Sequence, residues 1–443
     1  MTVPEMTTAE SLDATDLLGL WPILSEDERV AAFRLLDRDE AYRFLRALST
    51  RDEAKLLLSL PASELDSSVR LLAPDDAADV IQETQEELRP VLMGAMDENS
   101  RREVKALLAY AEDAAGGLMN PRYARLRPDM TVDEAVAYLR KQSRESVETI
   151  YSQFVIDEAQ HLIGVVSFRD LFTAPRDAKV RDIMRTEVLS VRDDQDQESV
   201  SRLFAKHNLM AIPVVDAENR IKGVVTFDDI VDVVQEEATE DIHKFGGTES
   251  LDAPYMESAL VPMLRKRAGW LAALFLGELL TATAMAFFEE EIARAVVLAL
   301  FVPLIISSGG NSGSQASTLV IRAMALGEVK LRDWWRVMQR ELLTGFLLGS
   351  MLGTIGFFRI VIWQFVRPIY GEHYLLVALT VFTSLIGVVM FGTLAGSLLP
   401  FLLRALRFDP ASASAPFVAT LVDVTGLVIY FSVASLLMAG TLL

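Results

Sequence analysis

Residues Pro416–Leu442 read PFVATLVDVTGLVIYFSVASLLMAGTL, with Asp423 as the one charged residue in the run. About 20 apolar residues in a helix cover ~30 Å of hydrocarbon, so this stretch is long enough to cross a bilayer. Four other stretches match it: Gly269–Phe288, Ile292–Ser308, Leu342–Val366 and Tyr374–Leu403. The second is short, contains Pro303 and runs into Ser307-Ser308-Gly309-Gly310-Asn311-Ser312-Gly313, with Ala316–Leu326 as its extension. Proline removes a backbone donor and glycines free the chain, so a non-helical break is expected over Ser307–Ser314. Such a break survives at membrane depth only against protein or an aqueous cavity, which makes the carbonyls there, Asn311 and Ser314 candidate wall groups of a wet path. A cytosolic helix end is the alternative.

Working outward, the chain changes character. It has 443 residues, a formal charge of −20 and 51% hydrophobic residues, with a mean hydropathy of +0.28. Residues 261–443 hold 13 basic and 10 acidic side chains, while residues 1–260 hold 29 and 52, a net of −23. An acidic soluble part therefore precedes an apolar membrane part. Disorder is excluded for most of the chain, and nucleic acid is no partner for so acidic a surface. With no cysteine there is no disulfide, thiolate metal site or cysteine nucleophile. The first spanning run starts near Gly269, so no cleavable signal peptide is expected.

Basic residues set the expected topology. Arg265, Lys266, Arg267, Arg322, Lys330, Arg332, Arg336, Arg340, Arg404 and Arg407 fall on one side of five spans, against Arg294 and Arg367 on the other. The positive-inside rule puts the larger group, and with it the amino-terminal part, in the cytosol and the carboxyl terminus outside.

The cytosolic part has two unlike halves. Over 16–110, Leu24, Leu48, Leu72 and Met96 recur every 24 residues, each opening a polar turn such as Ser25-Glu26-Asp27 or Asp97-Glu98-Asn99. Similar turns fall halfway between, at Asp37-Arg38-Asp39 and Pro61-Ala62-Ser63. These read as helix N-caps with acidic first turns, in a stack of short helical hairpins; an ordinary helical bundle is the alternative. Residues 117–245 hold a tandem repeat. Met119 and Met184 are 65 apart, Gly164-Val165-Val166-Ser167-Phe168-Arg169-Asp170 and Gly223-Val224-Val225-Thr226-Phe227-Asp228-Asp229 are 59 apart, so the first copy carries six extra residues. The order in each is strand, helix, two strands, helix.

Two carboxylates lie inside spans, Asp423 and Glu278. An ionised carboxylate at the bilayer centre costs at least ~2.5–3.5 kcal/mol on insertion scales. No basic residue stands at matching depth, since Arg359 can snorkel outward. Asp423 therefore faces water or a cation, or is a protonated packing residue. Both readings stay open for Glu278, one turn before Thr281. Mg2+ takes oxygen ligands, keeps several waters and needs one or two carboxylates, which Asp423 repeated in a dimer supplies. With four histidines and no cysteine, a softer metal is poorly served. Asp409, before Pro410, is a helix cap or a collector of cations at a pore entrance. Asp229, Asp232, Glu236, Glu237, Glu240 and Asp241 follow the second copy at helical spacing, and Pro254–Lys266 is expected to form a further helix entering span one. Asp75, Asp76 and Asp79 add acids at a helix start. Apposed acidic lobes repel, and divalent cations bridge them.

The repeat resembles the tandem cystathionine-β-synthase (CBS) pair, a ligand-sensing module. In that family Ser167/Asp170 and Thr226/Asp229 would hold an adenosine ribose, which implies ATP as a cofactor; capping of the following helices is the other reading. Nearly the whole chain resembles the MgtE-type magnesium transporters. Glu236–Ile242, Ser308–Gln315, Asp409-Pro410 and Ala419–Asp423 carry that resemblance most specifically. It implies a multidomain fold: an all-α solenoid-like N domain (1–116), an α/β tandem CBS pair (117–181 and 182–245), a connecting plug helix (246–266) and a polytopic α-helical membrane domain with five transmembrane helices (267–443). It also implies a homodimeric Mg2+ channel of the inner membrane, its pore lined at the dimer interface by Gly310, Asn311, Ser314, Ala419, Thr420 and Asp423, with Asp409 at the cytoplasmic mouth. Asp216, Asp229, Asp232, Glu237, Glu240 and Asp241 match sensor ligands, with Asp75, Asp76 and Asp79 as looser counterparts. High cytosolic Mg2+ would then close the pore. A transporter of Mn2+ or Co2+ is the runner-up. A CBS-regulated membrane enzyme is disfavoured, because no histidine is followed by glutamate as a zinc protease needs and no phosphate-binding Gly-x-x-x-x-Gly-Lys-Ser/Thr loop exists.

Overall fold

The structure, a computed structural model, describes residues 13–142, 151–251, 253–256 and 258–441. The first twelve residues of the expected N domain and the last of span five lie outside the described residues. The chain divides into two compact units, Met1–Gln235 and Glu236–Leu443.

In the first unit, helices begin every twelve residues from Ser25. Ser25, Asp37, Ser49, Pro61 and Ala73 are the N-caps of Glu26–Phe33, Arg38–Ala47, Thr50–Ser59, Ala62–Val69 and Pro74–Glu83. Ser25 and Glu28 form a reciprocal capping box, and Asp37 accepts from the backbone N–H groups of Asp39 and Glu40 at 2.9 Å each. The period slips once. The next helix starts at Arg89, because Pro90 fits only in a first turn. Thr50–Ser59 packs on Pro74–Glu83, which packs on Glu98–Leu107, so alternate helices stack as the repeat predicts. Phe44, Leu45, Leu57, Ile81, Leu92 and Leu107 are almost fully buried between them.

The two CBS copies fold alike. Among the described residues each has a three-stranded sheet with one parallel and one antiparallel pairing: Arg125–Leu126, Ser152–Ile156 and Leu162–Ser167, then Val191–Arg192, Ala211–Val215 and Ile221–Thr226. Helices Val132–Gln142 and Gln197–His207 keep the 65-residue offset, whereas the central strands are 59 apart. The six extra residues thus fall between Gln142 and Ser152, mostly outside the described residues. The copies exchange their leading methionines. A Cβ on Gly164 would meet Met184 Sδ at 2.6 Å, and one on Gly223 would meet Met119 Sδ at 2.9 Å.

The helix Phe227–Phe245 contributes its first half to the first unit and its second half to the second. Pro254–Lys266 is not a separate helix. Residues 253–256 and 258–259 are turn and coil, and one helix runs Leu260–Phe287 through span one. Pro262 explains this, since its ring would clash with the carbonyl four residues back and the helix must start within a turn of it.

Among its described residues the second unit has five helices long and apolar enough to cross a membrane: Leu260–Phe287, Val296–Ala325, Leu331–Val366, Tyr374–Ala405 and Ala415–Met438. Span two corrects the expectation of a break. Val302–Ala325 is continuously helical through Ser307–Ser314, with Pro303 in the first turn where its missing N–H costs nothing. The glycines serve close packing instead. A Cβ on Gly392 of span four would stand 2.3 Å from the Gly309 carbonyl oxygen, and one on Gly396 would stand 2.0 Å from that of Gly313. Gly345, Gly349 and Gly353 of span three likewise seat against Met390, Ile386 and Phe382 of span four. Val381, Leu385, Val388, Val422, Tyr430 and Phe431 close the core. Span one has no buried residue and packs on span five among the other long helices.

Candidate functional site

Span five starts at Ser414, whose hydroxyl accepts from Phe417 N at 3.3 Å, with Pro416 in the first turn. Asp423 lies two turns in, about 12 Å along the axis at 1.5 Å per residue, and is half-buried. Among the described residues the charged group acting on it is the Glu278 carboxyl of span one. Spans one and five meet closely there, since a Cβ on Gly277 would lie 2.8 Å from Thr420 Cγ2. Two carboxyl groups side by side repel unless a cation or a proton lies between them. The sequence names both residues but not their pairing, because nothing in it fixes which spans are neighbours.

The other wall candidates divide. Gly310 is buried, 3.6 Å (from an ideal Cβ) from Ala419, so both belong to the contact between spans two and five of one protomer. Free backbone carbonyls at Gly310 are ruled out by the continuous helix. Ser314 donates to Ala415 O at 3.4 Å and Thr420 to Pro416 O at 3.1 Å, which takes up their hydroxyl protons within the helix pair. Asn311 is exposed, its amide 3.4 Å from Ser307 Oγ.

At the end of span four, Asp409 Oδ1 accepts from Ala411 N at 2.8 Å, the capping role, while Oδ2 lies 2.7 Å from Lys244 Nζ. Lys244 also reaches Glu240 Oε1 at 2.5 Å. Burial works against the ammonium, but the bonds to Asp409 and Glu240 outweigh it and hold the Lys244 pKa above the usual lysine value. Burial, then the Asp409 charge, hold the neighbouring Asp241 carboxyl above its usual range. The element that reaches Asp409 is thus the end of the Phe227–Phe245 helix, not residues 246–266.

The first unit holds a second acidic group. Arg46 pairs with Asp228. Burial raises the Asp76 carboxyl; Arg46 opposes that, and Asp228 and Asp232 add to it. Asp229 is pushed to about 7 by burial and by Asp228, although Thr226 donates to it at 2.8 Å. Burial and then Asp228 raise Asp232. Glu53, 5% exposed, is pushed to about 9 by burial and by the charges of Asp76 and Asp79. Four expected site residues already have partners within the fold. Asp75 accepts from Asn120 Nδ2 at 3.0 Å in a buried contact. Asp216 holds the turn before Arg220 and lies 3.1 Å from Lys222. Ser167 caps Asp170 N at 3.1 Å, with Arg185 3.7 Å from the Asp170 carboxylate. Glu237 is half-exposed on the linker helix. Among the described residues no three acidic or histidine side chains converge as a metal cage.

Glu53, Asp228, Arg46 and Lys244 were not singled out as site residues by the sequence reading. Glu240 and Lys244 at i, i+4 were a legible pair. Glu53 looks like any first-turn acid, and Arg46 carries no local signal at all. The Glu53 shift has a measurable consequence. The folded domain keeps a proton there that the unfolded chain releases, so this contribution to stability is full below 4.5 and lost as pH rises toward 9. In metal-free protein, amide-exchange protection of Thr50–Ser59 should fall over that window, and Glu53→Gln should flatten the dependence. An equally steep fall in the variant would refute the assignment.

Known proteins bear on this arrangement. A family signature described as MgtE, divalent cation transporter, matches residues 302–433; the MgtE intracellular N domain matches 12–113, and CBS domains match 115–177 and 180–236. The chain is 41% identical over 432 residues to the magnesium transporter MgtE of Thermus thermophilus, covering 97% of this chain and 94% of that one. This chain belongs to the MgtE family. It is also 32% identical to the magnesium transporter MgtE of Bacillus subtilis, over 96% of this chain and 92% of that one. A crystal structure of the cytosolic domain of the Mg2+ channel MgtE in complex with ATP is 40% identical, covers 51% of this chain and 91% of that one, and superposes with a TM-score of 0.48. As an MgtE family member the protein is a transporter and not an enzyme, which removes the membrane-enzyme alternative.

Proposed function

We propose that this MgtE protein carries Mg2+ into the cytosol through a path at a homodimer interface, and that cytosolic Mg2+ closes it. The observation that carries the reading is Asp423 beside Glu278, two carboxyl groups within apolar spans with no basic partner among the described residues. Such an arrangement persists where a cation passes. Ten basic residues flanking the spans on one side support a cytosolic amino terminus, an external carboxyl terminus and an inner-membrane location. The relatives' names favour Mg2+ over Mn2+ or Co2+. The working division stays N domain, CBS pair, connecting segment and membrane domain, with the connecting helix extended back to Glu236.

The sensor is assigned to Asp76, Asp79, Asp229 and Asp232 in the first unit and to Glu237, Glu240, Asp241 and Asp409 in the second. A hydrated Mg2+ contacts carboxylates through its waters, so these groups need not form a direct cage. Asp75 and Asp216 take weaker places, being committed to Asn120 and Lys222. For ATP, we place any ribose contact at Ser167 and Asp170, since Ser167 stays partly exposed while Thr226 is buried.

The test is flux of Mg2+, Mn2+ and Ca2+ in vesicles holding the full chain, with Mg2+ varied on each side. Mg2+ flux inhibited by Mg2+ on the cytosolic face is expected. Glu237→Gln, Glu240→Gln and Asp241→Asn together should leave the path open at high Mg2+. Unchanged inhibition in that variant would reject the sensor, and faster Mn2+ than Mg2+ flux would reject the substrate.

A further inference from the structure

A cation already sits between Asp409 and Glu240, and it is a side chain. Lys244 Nζ lies 2.7 Å from Asp409 Oδ2 and 2.5 Å from Glu240 Oε1. Both Asp409 oxygens are engaged, since Oδ1 accepts from Ala411 N at 2.8 Å. Asp241, half-buried, adds a negative charge close to Asp409, and Arg322 adds a more distant positive one. The ammonium therefore neutralises the very groups assigned to the regulatory ion. A divalent ion that takes Asp409 Oδ2 must displace Lys244 or bind beside its charge.

We infer that Lys244 is a tethered counter-ion that competes with cytosolic Mg2+ at Asp409 and Glu240 and so sets the Mg2+ concentration at which the path closes. The inference rests on the feedback reading above. Its physical basis is charge. With Lys244 in place, Glu240, Asp241, Asp409 and Lys244 carry a formal −2; without it they carry −3. Competition by an intramolecular cation costs affinity, because the ligand must first break a pair whose partners cannot diffuse apart. One unit charge about 5 Å from a divalent ion is enough, at a screened surface, to move its affinity about tenfold. Removing the tethered charge therefore favours the Mg2+-bound closed form. It also leaves Asp409 and Glu240 without their shared counter-ion when Mg2+ is absent.

The experiment uses the full chain. Lys244→Met keeps the length of the side chain without its charge, Lys244→Gln is a second neutral variant, and Lys244→Arg restores the charge. In vesicle flux, half-inhibition by Mg2+ should move about tenfold lower in both neutral variants and stay near wild type in Lys244→Arg. In a background carrying both Glu240→Gln and Asp409→Asn, Lys244→Met should shift nothing further. Calorimetric titration of the solubilised protein with MgCl2 should show a tighter site in the neutral variants. A midpoint unchanged or raised in both, in a wild-type protein that Mg2+ does inhibit, would overturn the role of Lys244. If Mg2+ fails to inhibit the wild type, the feedback reading falls, and calorimetry alone then decides whether Lys244 competes: no tightening overturns it.

Discussion

Asp423→Asn is expected to lose Mg2+ flux by more than about tenfold while the protein stays as heat-stable as wild type or becomes more so. The two halves of this result separate function from folding. A carboxylate in an apolar span is a cost to the fold, at least ~2.5–3.5 kcal/mol on insertion scales. Its amide replacement is nearly the same size and carries no charge, so it relieves the repulsion from Glu278. A structural residue would show the reverse pattern, stability falling first and transport falling with it. The amide keeps one acceptor oxygen but cannot balance the charge of an entering ion, so the path loses its electrostatic well. Glu278→Gln should weaken flux less, since span one, with no buried residue, presents Glu278 from the side. Tracer uptake in vesicles, paired with a melting curve in detergent, reads both halves. Wild-type uptake by Asp423→Asn would remove the carboxylate from the path.

What the sequence made legible was periodic or paired. The twelve-residue N-cap rhythm from Ser25 to Ala73 is written in local chemistry, because a cap needs its own side chain or a proline to be seen. The tandem copies were visible because each supplied a check on the other. What stayed hidden was contact between elements far apart in the chain. Arg46 and Asp228 are separated by 182 residues, and Lys244 and Asp409 by 165. No local pattern marks such pairs. The acids were singled out and their counter-ions were not, since an acidic run is conspicuous and one basic residue in a polar helix is not. The run Ser307–Ser314 misled for a related reason. Glycine and serine lower helix propensity in water, but in a membrane small residues are where helices approach, and the backbone stays helical.

That approach makes the second large expected effect, from a residue that binds no ion. Gly396→Ala should strongly destabilise the membrane unit and depress flux with it. The added Cβ would stand 2.0 Å from the Gly313 carbonyl oxygen, with the Gly313 carbonyl carbon at 2.8 Å. Backbone on both sides leaves no flexible side chain to yield, so spans two and four must separate. Overpacking of this kind typically costs about 1–3 kcal/mol, and here it also breaks a close backbone contact with no substitute. Separation carries Asn311 and Ser314 away from span five, because Ser314 meets Ala415 O one residue past Gly313. The comparison is Gly269→Ala, the same chemical change in span one at a position where nothing lies within 4 Å of the new Cβ. Alanine in a helix interior is about 0.5–1 kcal/mol better than glycine, so that variant should melt higher, not lower. Opposite signs from one methyl group in two helices would locate the stabilising contact at the glycine crossing. If both variants melt alike, spans two and four stand farther apart than these distances require, and the loss of flux in Gly396→Ala needs another cause.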